Sequence, residues 1–160
     1  MKLAANIIDI WAFQRRPTGV NFLLLHTSAE KARKYFNGGR FWQIPSGQVQ
    51  NDEPVTSAIS RILETFNLIP QKIWAAEHAY LIYNRRFEEM QAISVYAAEV
   101  TGDNISLNEA EHSEAAWLPF EICLERVNYR GLKDGLRSVQ EYITGLDHPA
   151  SELCLYDITR

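Results

Sequence analysis

The stretch Gly47-Gln48-Val49-Gln50-Asn51-Asp52-Glu53-Pro54, continuing through Val55-Thr56-Ser57-Ala58-Ile59-Ser60-Arg61-Ile62-Leu63-Glu64-Thr65-Phe66, decides the fold of this 160-residue chain. Its apolar residues Val55, Ala58, Ile59, Ile62, Leu63 and Phe66 recur at helical spacing, which fits an amphipathic helix and no strand. Pro54 suits the helix start, with Asp52 and Glu53 near the positive end of the dipole, and the helix is predicted to stop before Pro70. A loop that runs through a glycine into a helix is where α/β proteins hold phosphates, because free N–H groups and the helix dipole face the anion. A glycine that merely serves a turn explains Gly47 equally well when taken alone.

Residues 5–13 and 21–26 upstream read as two strands joined by a turn at Pro17-Thr18-Gly19. Lys31 to Arg40 reads as a basic, flexible segment, and Phe41-Trp42 leads into Ile44-Pro45-Ser46-Gly47. Downstream, Lys72–Tyr83 and Gln91–Val100 are predicted to form a long hairpin, followed by an acidic loop with Glu109, Glu111 and Glu114. A final helix should carry Leu132, Leu136, Val139 and Ile143 on one face. This order of elements predicts an α/β protein, an α/β/α sandwich around a mixed sheet.

Composition sets further bounds. A chain of this length suits one domain, here 1–160 with a core over about 5–145 and a tail at 146–160. Lys plus Arg number 16 against 20 Asp plus Glu, for a net charge of −4, which argues against a protein that coats long nucleic acid. No run of about 18 apolar residues could span a membrane, and no signal-peptide core is recognisable, so a cytoplasmic location is expected. Cys123 and Cys154 have no CxxC spacing and are expected as buried, reduced thiols. His26, His78, His112 and His148 form no ligand pair, and Trp11, Trp42, Trp74, Tyr83 and Phe87 suit a core better than a stacking platform.

The spacing around Gly47 is more specific. Gly47, five residues, Glu53, seven residues, Arg61, then Leu63 and Ile69 resembles the Nudix box. Where that pattern has Glu, Glu, Glu and Gly, this chain has Ile62, Thr65, Phe66 and Leu68. Phe41-Trp42-Gln43 before Gly47-Gln48-Val49, and Glu111-His112 ahead of Trp117, are similar to Nudix pyrophosphohydrolases of the bacterial dihydroneopterin triphosphate pyrophosphatase type. The resemblance runs from about residue 5 to 145 and implies a Nudix-type sandwich. It also implies a pocket for a nucleotide or another pyrophosphate-bearing small molecule. The family chemistry it implies is water attack on a pyrophosphate phosphorus, with Mg²⁺ or Mn²⁺ held on carboxylates of this helix.

Such an ion needs near-octahedral oxygen coordination, and Thr65 offers one hydroxyl while Ile62 and Phe66 offer no oxygen. Two readings follow. In one, hydrolysis is weak or absent, no metal is needed, and the cleft binds a ligand or a protein partner. In the other, an active hydrolase uses Mg²⁺ or Mn²⁺ with Glu53 as a metal ligand and Glu64 or Glu111 as non-standard carboxylates, Glu64 being swung into place by a one-residue bulge. The candidate catalytic residues are therefore Glu53, Arg61, Glu64 and Glu111, and the candidate ligand contacts are Gly47, Arg40 and Arg61. A homodimer stays open. Ile62 and Phe66 complete the apolar stripe, so Phe66 is predicted to be buried, with Phe66→Ala costing roughly 3 to 5 kcal/mol.

Overall fold

In the computed structural model, which describes residues 1–160, one mixed sheet organises the chain. Its strands are β1 (Leu3–Arg16), β2 (Gly19–Thr27), β3 (Trp42–Gln43), β4 (Ser46–Gln48), β5 (Ile69–Asn84), β6 (Glu89–Thr101), β7 (His112–Pro119) and β8 (Cys154–Asp157). The order along the sheet is β3-β2-β1-β6-β5-β8, with β4 added to β1 and β7 to β2. The β1–β6 pair is parallel and the others are antiparallel.

Alternation along β1 sends its residues to two cores. Ile8, Ile10 and Ala12 pack beneath α2 (Val55–Glu64) together with Ala58, Ile59, Ile62 and Leu63. Trp11 and Phe13 pack on the opposite face, with Leu132, Leu136 and Val139 of α4 (Arg130–Val139) and Cys123 of α3 (Phe120–Arg126). Helices thus cover both faces of a mixed sheet, the predicted α/β/α sandwich. Ile143, on a π-helical turn that continues α4, is buried on the same face as Leu136 and Val139, as the spacing predicts.

Several local expectations are corrected. The basic segment is not irregular at its start: Ala29–Tyr35 forms a helix, α1, capped by Ser28, whose Oγ accepts the Lys31 N–H at 3.0 Å. α2 does stop before Pro70, as expected, but a left-handed turn rather than the proline ends it. The helix stops at Glu64, and Asn67 adopts a left-handed φ of 63°. The N–H of Asn67 bonds to Glu64 O at 2.9 Å and that of Leu68 to Leu63 O at 3.1 Å, the Schellman pattern. Pro70 instead lies inside β5. Part of the expected tail is also a strand, since β8 pairs with β5. Cys123 is buried, but Cys154 is only half-buried.

Phe66 lies beyond the end of α2 and is half-buried rather than buried, because the turn that closes the helix breaks its periodicity. Leu63, within the helix, is fully enclosed. Leu63→Ala should therefore destabilise by about 2 to 5 kcal/mol and Phe66→Ala by only about 1 to 2 kcal/mol, a contrast that urea titration resolves.

Candidate functional site

β4 carries the glycine loop into register with β1, setting Gly47 opposite Ile8 and Ser46 opposite Asp9. A β-carbon on Gly47 would lie 2.7 Å from Cδ1 of Ile62, so the missing side chain is what lets α2 approach the loop. The loop then turns at Asp52, whose φ is 60°, and Glu53 closes it. Oε1 of Glu53 accepts the Gln50 N–H at 3.0 Å.

Arg61 grips the same carboxylate with two parallel bonds, Nε to Oε2 at 2.9 Å and Nη2 to Oε1 at 2.9 Å. Its Nη2 also donates to Gln48 O at 2.7 Å. This fork holds the Glu53 carboxyl down at about 2, with the Gln50 N–H assisting. Glu53 and Arg61, eight positions apart in the sequence, thus fasten both ends of the loop to the helix.

The other positions of the helix edge carry no free oxygen donor except Glu64. Ile62 is buried against Gly47. Thr65 Oγ1 donates to Ile62 O at 2.6 Å. The Phe66 ring lies 6.0 Å from the His112 ring. Glu64 is exposed, and α2 is regular throughout, with no bulge to turn Glu64 toward the loop.

Glu111 belongs to a separate cluster. Its carboxylate meets Lys31 Nζ at 2.8 Å and Arg86 Nη1 and Nη2 at 3.2 Å each. Burial pushes its carboxyl up, but the two cations outweigh that and hold it below the ordinary range. Arg86, from the β5–β6 turn, stacks over the Tyr35 ring at 4.7 Å. Arg40 is exposed and has no carboxylate partner. It donates to Thr27 O at 2.8 Å, touches Ser113 and lies 3.2 Å from Nδ1 of His26. His26 stacks on Trp42 at 4.5 Å, with Arg126 also over Trp42.

The structure therefore joins Gly47, Glu53 and Arg61, and separately joins Glu111 to Lys31 and Arg86. Sequence reading missed Arg86 because a hairpin turn brings it in from a distance no local pattern records. It also missed two part-buried polar pairs. Gln43 Nε2 lies 2.5 Å from Nε2 of His112, whose imidazole is pushed down to about 4 by burial, with Lys31 adding to the effect. On the face toward α4, the Tyr80 hydroxyl donates to Asp9, and burial pushes the Asp9 carboxyl up to about 6 against that bond.

A family model of the NUDIX domain matches residues 2–134. The chain belongs to the Nudix family. Among solved structures it is similar to a NUDIX hydrolase of Listeria monocytogenes, with a TM-score of 0.73 and 18% identity over 91% of this chain and 98% of that one. The NUDIX domain of Shewanella oneidensis NrtR, complexed with ADP ribose, gives a TM-score of 0.67 and 18% identity over 90% and 91%. The Escherichia coli dihydroneopterin triphosphate pyrophosphohydrolase gives 0.62 and 12% identity over 89% and 99%. At these identities the likeness is one of fold. A comparison with the curated proteins finds no match.

The Nudix family generally uses divalent metal ions to hydrolyse pyrophosphates. The side chains of this chain do not fit such an ion: no three of His, Cys, Asp and Glu come together to hold one. Glu53 gives one oxygen to Arg61 alone and shares the other between Arg61 and the Gln50 N–H.

The two buried groups titrate in opposite senses. Asp9 rises from 3.8 to about 6 on folding, so its protonated form is favoured and stability falls as pH rises through that window. His112 drops from 6.5 to about 4, so its contribution is complete above 6.5 and is lost as pH falls toward 4. Asp9→Asn should raise stability at pH 7.5 by up to about 3 kcal/mol. It should also uncover a net rise between about pH 4 and 6.5 that the native chain largely cancels. Urea midpoints measured across this range check both signs.

Proposed function

We propose that this Nudix-family chain binds a nucleotide or another pyrophosphate-bearing small molecule without the family's divalent ion, and that metal-dependent hydrolysis is weak or absent. The observation that carries this reading is the contact of Ile62 with Gly47, which puts a buried hydrocarbon where the family pattern has a carboxylate. Restoring an open, hydrated edge there would expose that side chain and forfeit about 1.5 to 3 kcal/mol. Glu53 works as a clamp for the loop, Glu111 as an anchor for Lys31 and Arg86, and Glu64 as a surface carboxylate.

Without a bridging cation, the ligand's charge is met by guanidinium, ammonium and backbone N–H groups. Arg40 and the exposed Arg33 and Lys34 supply uncompensated positive charge. The exposed side of Arg61 adds a further donor, and the first turn of α2 has no side-chain cap over its N–H groups. That the Shewanella oneidensis NUDIX domain is complexed with ADP ribose supports this ligand class. No helix is long and apolar enough to cross a membrane. Two free cysteines, Cys123 and Cys154, are compatible with a reducing, cytoplasmic setting.

Nucleoside triphosphates, dinucleoside polyphosphates, ADP-ribose and dihydroneopterin triphosphate, each assayed with Mg²⁺ and Mn²⁺, test the loss of hydrolysis. Turnover near 1 per second or faster would contradict it. Calorimetry with the same compounds should give binding that survives EDTA and weakens about 10-fold or more in Arg40→Ala. Binding abolished by EDTA would favour the active hydrolase, with Glu53, Glu64 or Glu111 recruited to a metal. No binding to any of these compounds would point to a protein partner.

A further inference from the structure

His26 lies on β2 between two other strands, paired with Trp42 of β3 on one side and Glu114 of β7 on the other. Its ring stacks on the Trp42 indole at 4.5 Å, with the two planes 16° apart. Two groups of opposite charge meet at one atom of that ring. Oε1 of Glu114 lies 3.1 Å from Nδ1, and Nη2 of Arg40 lies 3.2 Å from the same nitrogen.

One nitrogen cannot serve both. With a proton, Nδ1 donates to the carboxylate and has no lone pair for the guanidinium. Without one, it accepts from Arg40 and turns a lone pair toward Glu114. The neutral ring can hold either arrangement by exchanging tautomers. The imidazolium, protonated on both nitrogens, can hold only the bond to Glu114. Gain of a proton therefore breaks the Arg40–His26 bond and sets a second cation beside the guanidinium. Glu114 from β7 and the face of Trp42 favour that gain, whereas Arg40 and Arg126 of α3, 5.3 Å over the Trp42 ring, oppose it.

The rest of Arg40 is anchored elsewhere. Its Nε donates to Thr27 O at 2.8 Å, and its backbone is held by the Phe41 N–H on Thr27 Oγ1 at 2.9 Å and the Thr27 N–H on Phe41 O at 3.0 Å. Loss of the imidazole contact leaves Nη2 touching the Ser113 hydroxyl, while the Nε end stays fixed.

We propose that His26 is a positioning residue that couples binding of a pyrophosphate-bearing ligand to pH. Its protonation frees the Nη2 end of Arg40 for the ligand and adds positive charge beside it, so binding tightens as pH falls. This rests on the reading of Arg40 as a phosphate contact. By linkage, the bound ligand draws a proton onto the site.

Calorimetry with ADP-ribose, whose pyrophosphate diester keeps its charge over the range used, tests the coupling. Native affinity should rise about 5-fold between about pH 8 and pH 5.5. Buffers of different ionisation enthalpy should show net proton uptake on binding. Asp9 titrates in the same range, so the comparison that decides is with His26→Gln, which should lose both effects while circular dichroism shows it folded. Nitrogen-15 NMR of the unliganded chain gives a second readout: the Arg40 side-chain resonances should shift with pH in the native chain and not in His26→Gln. A pH dependence of binding that survives His26→Gln, or Arg40 resonances indifferent to pH, would overturn the coupling. Failure of ADP-ribose to bind at any pH would instead count against the phosphate reading, and the Arg40 resonances would then decide the role of His26 alone.

Discussion

The absence of a side chain at Gly47 is the constraint on which the rest of the site depends. It allows Ile62 to touch the loop backbone, and that contact sets how closely α2 can lie on β4 and β1. With the helix seated, Arg61 comes within reach of Glu53 and of Gln48 O, and the fork between them closes the loop. One apolar contact and one bidentate ion pair thus hold the segment that gives the family its signature. Both lie within the loop and α2.

Charge is arranged around this edge rather than on it. Two of the carboxylates that survive are committed to cations: Glu53 to Arg61, and Glu111 to Lys31 and Arg86. A carboxylate satisfied in this way is stabilised as an anion but has fewer lone pairs to offer a metal. Arg40, held only by neutral partners, is the complementary case, a cation with charge to spare. A negatively charged ligand would therefore meet net positive potential near α1, although the chain as a whole carries −4.

How much of this was legible in the sequence depended on the range of the signal. The period of Val55, Ala58, Ile59, Ile62 and Leu63 identified α2 and its buried face correctly, because a helix repeats within a few residues. The same counting carried Phe66 one turn too far. Pro70 looked like the stop signal, whereas the left-handed turn at Asn67 had already ended the helix. α1 escaped notice because seven residues with a single buried position, Ala32, leave almost no period to read. The Ser28 cap was its one usable signal. The partners of Glu111 and Asp9 could not be read at all, since Arg86 and Tyr80 arrive through strand pairing from a distant hairpin. The carboxylates missing from the box, by contrast, needed only the spacing from Gly47.

The central claim is that this Nudix edge holds no divalent cation. Titrating the native chain with Mn²⁺ and following the electron paramagnetic resonance of the free ion measures this directly, with a Glu53→Gln/Arg61→Ala variant as reference. The account predicts that the free-ion signal at about 100 μM chain tracks added Mn²⁺ as it does in buffer, for both proteins. A saturable loss of signal at one ion per chain, abolished in the variant, would contradict it.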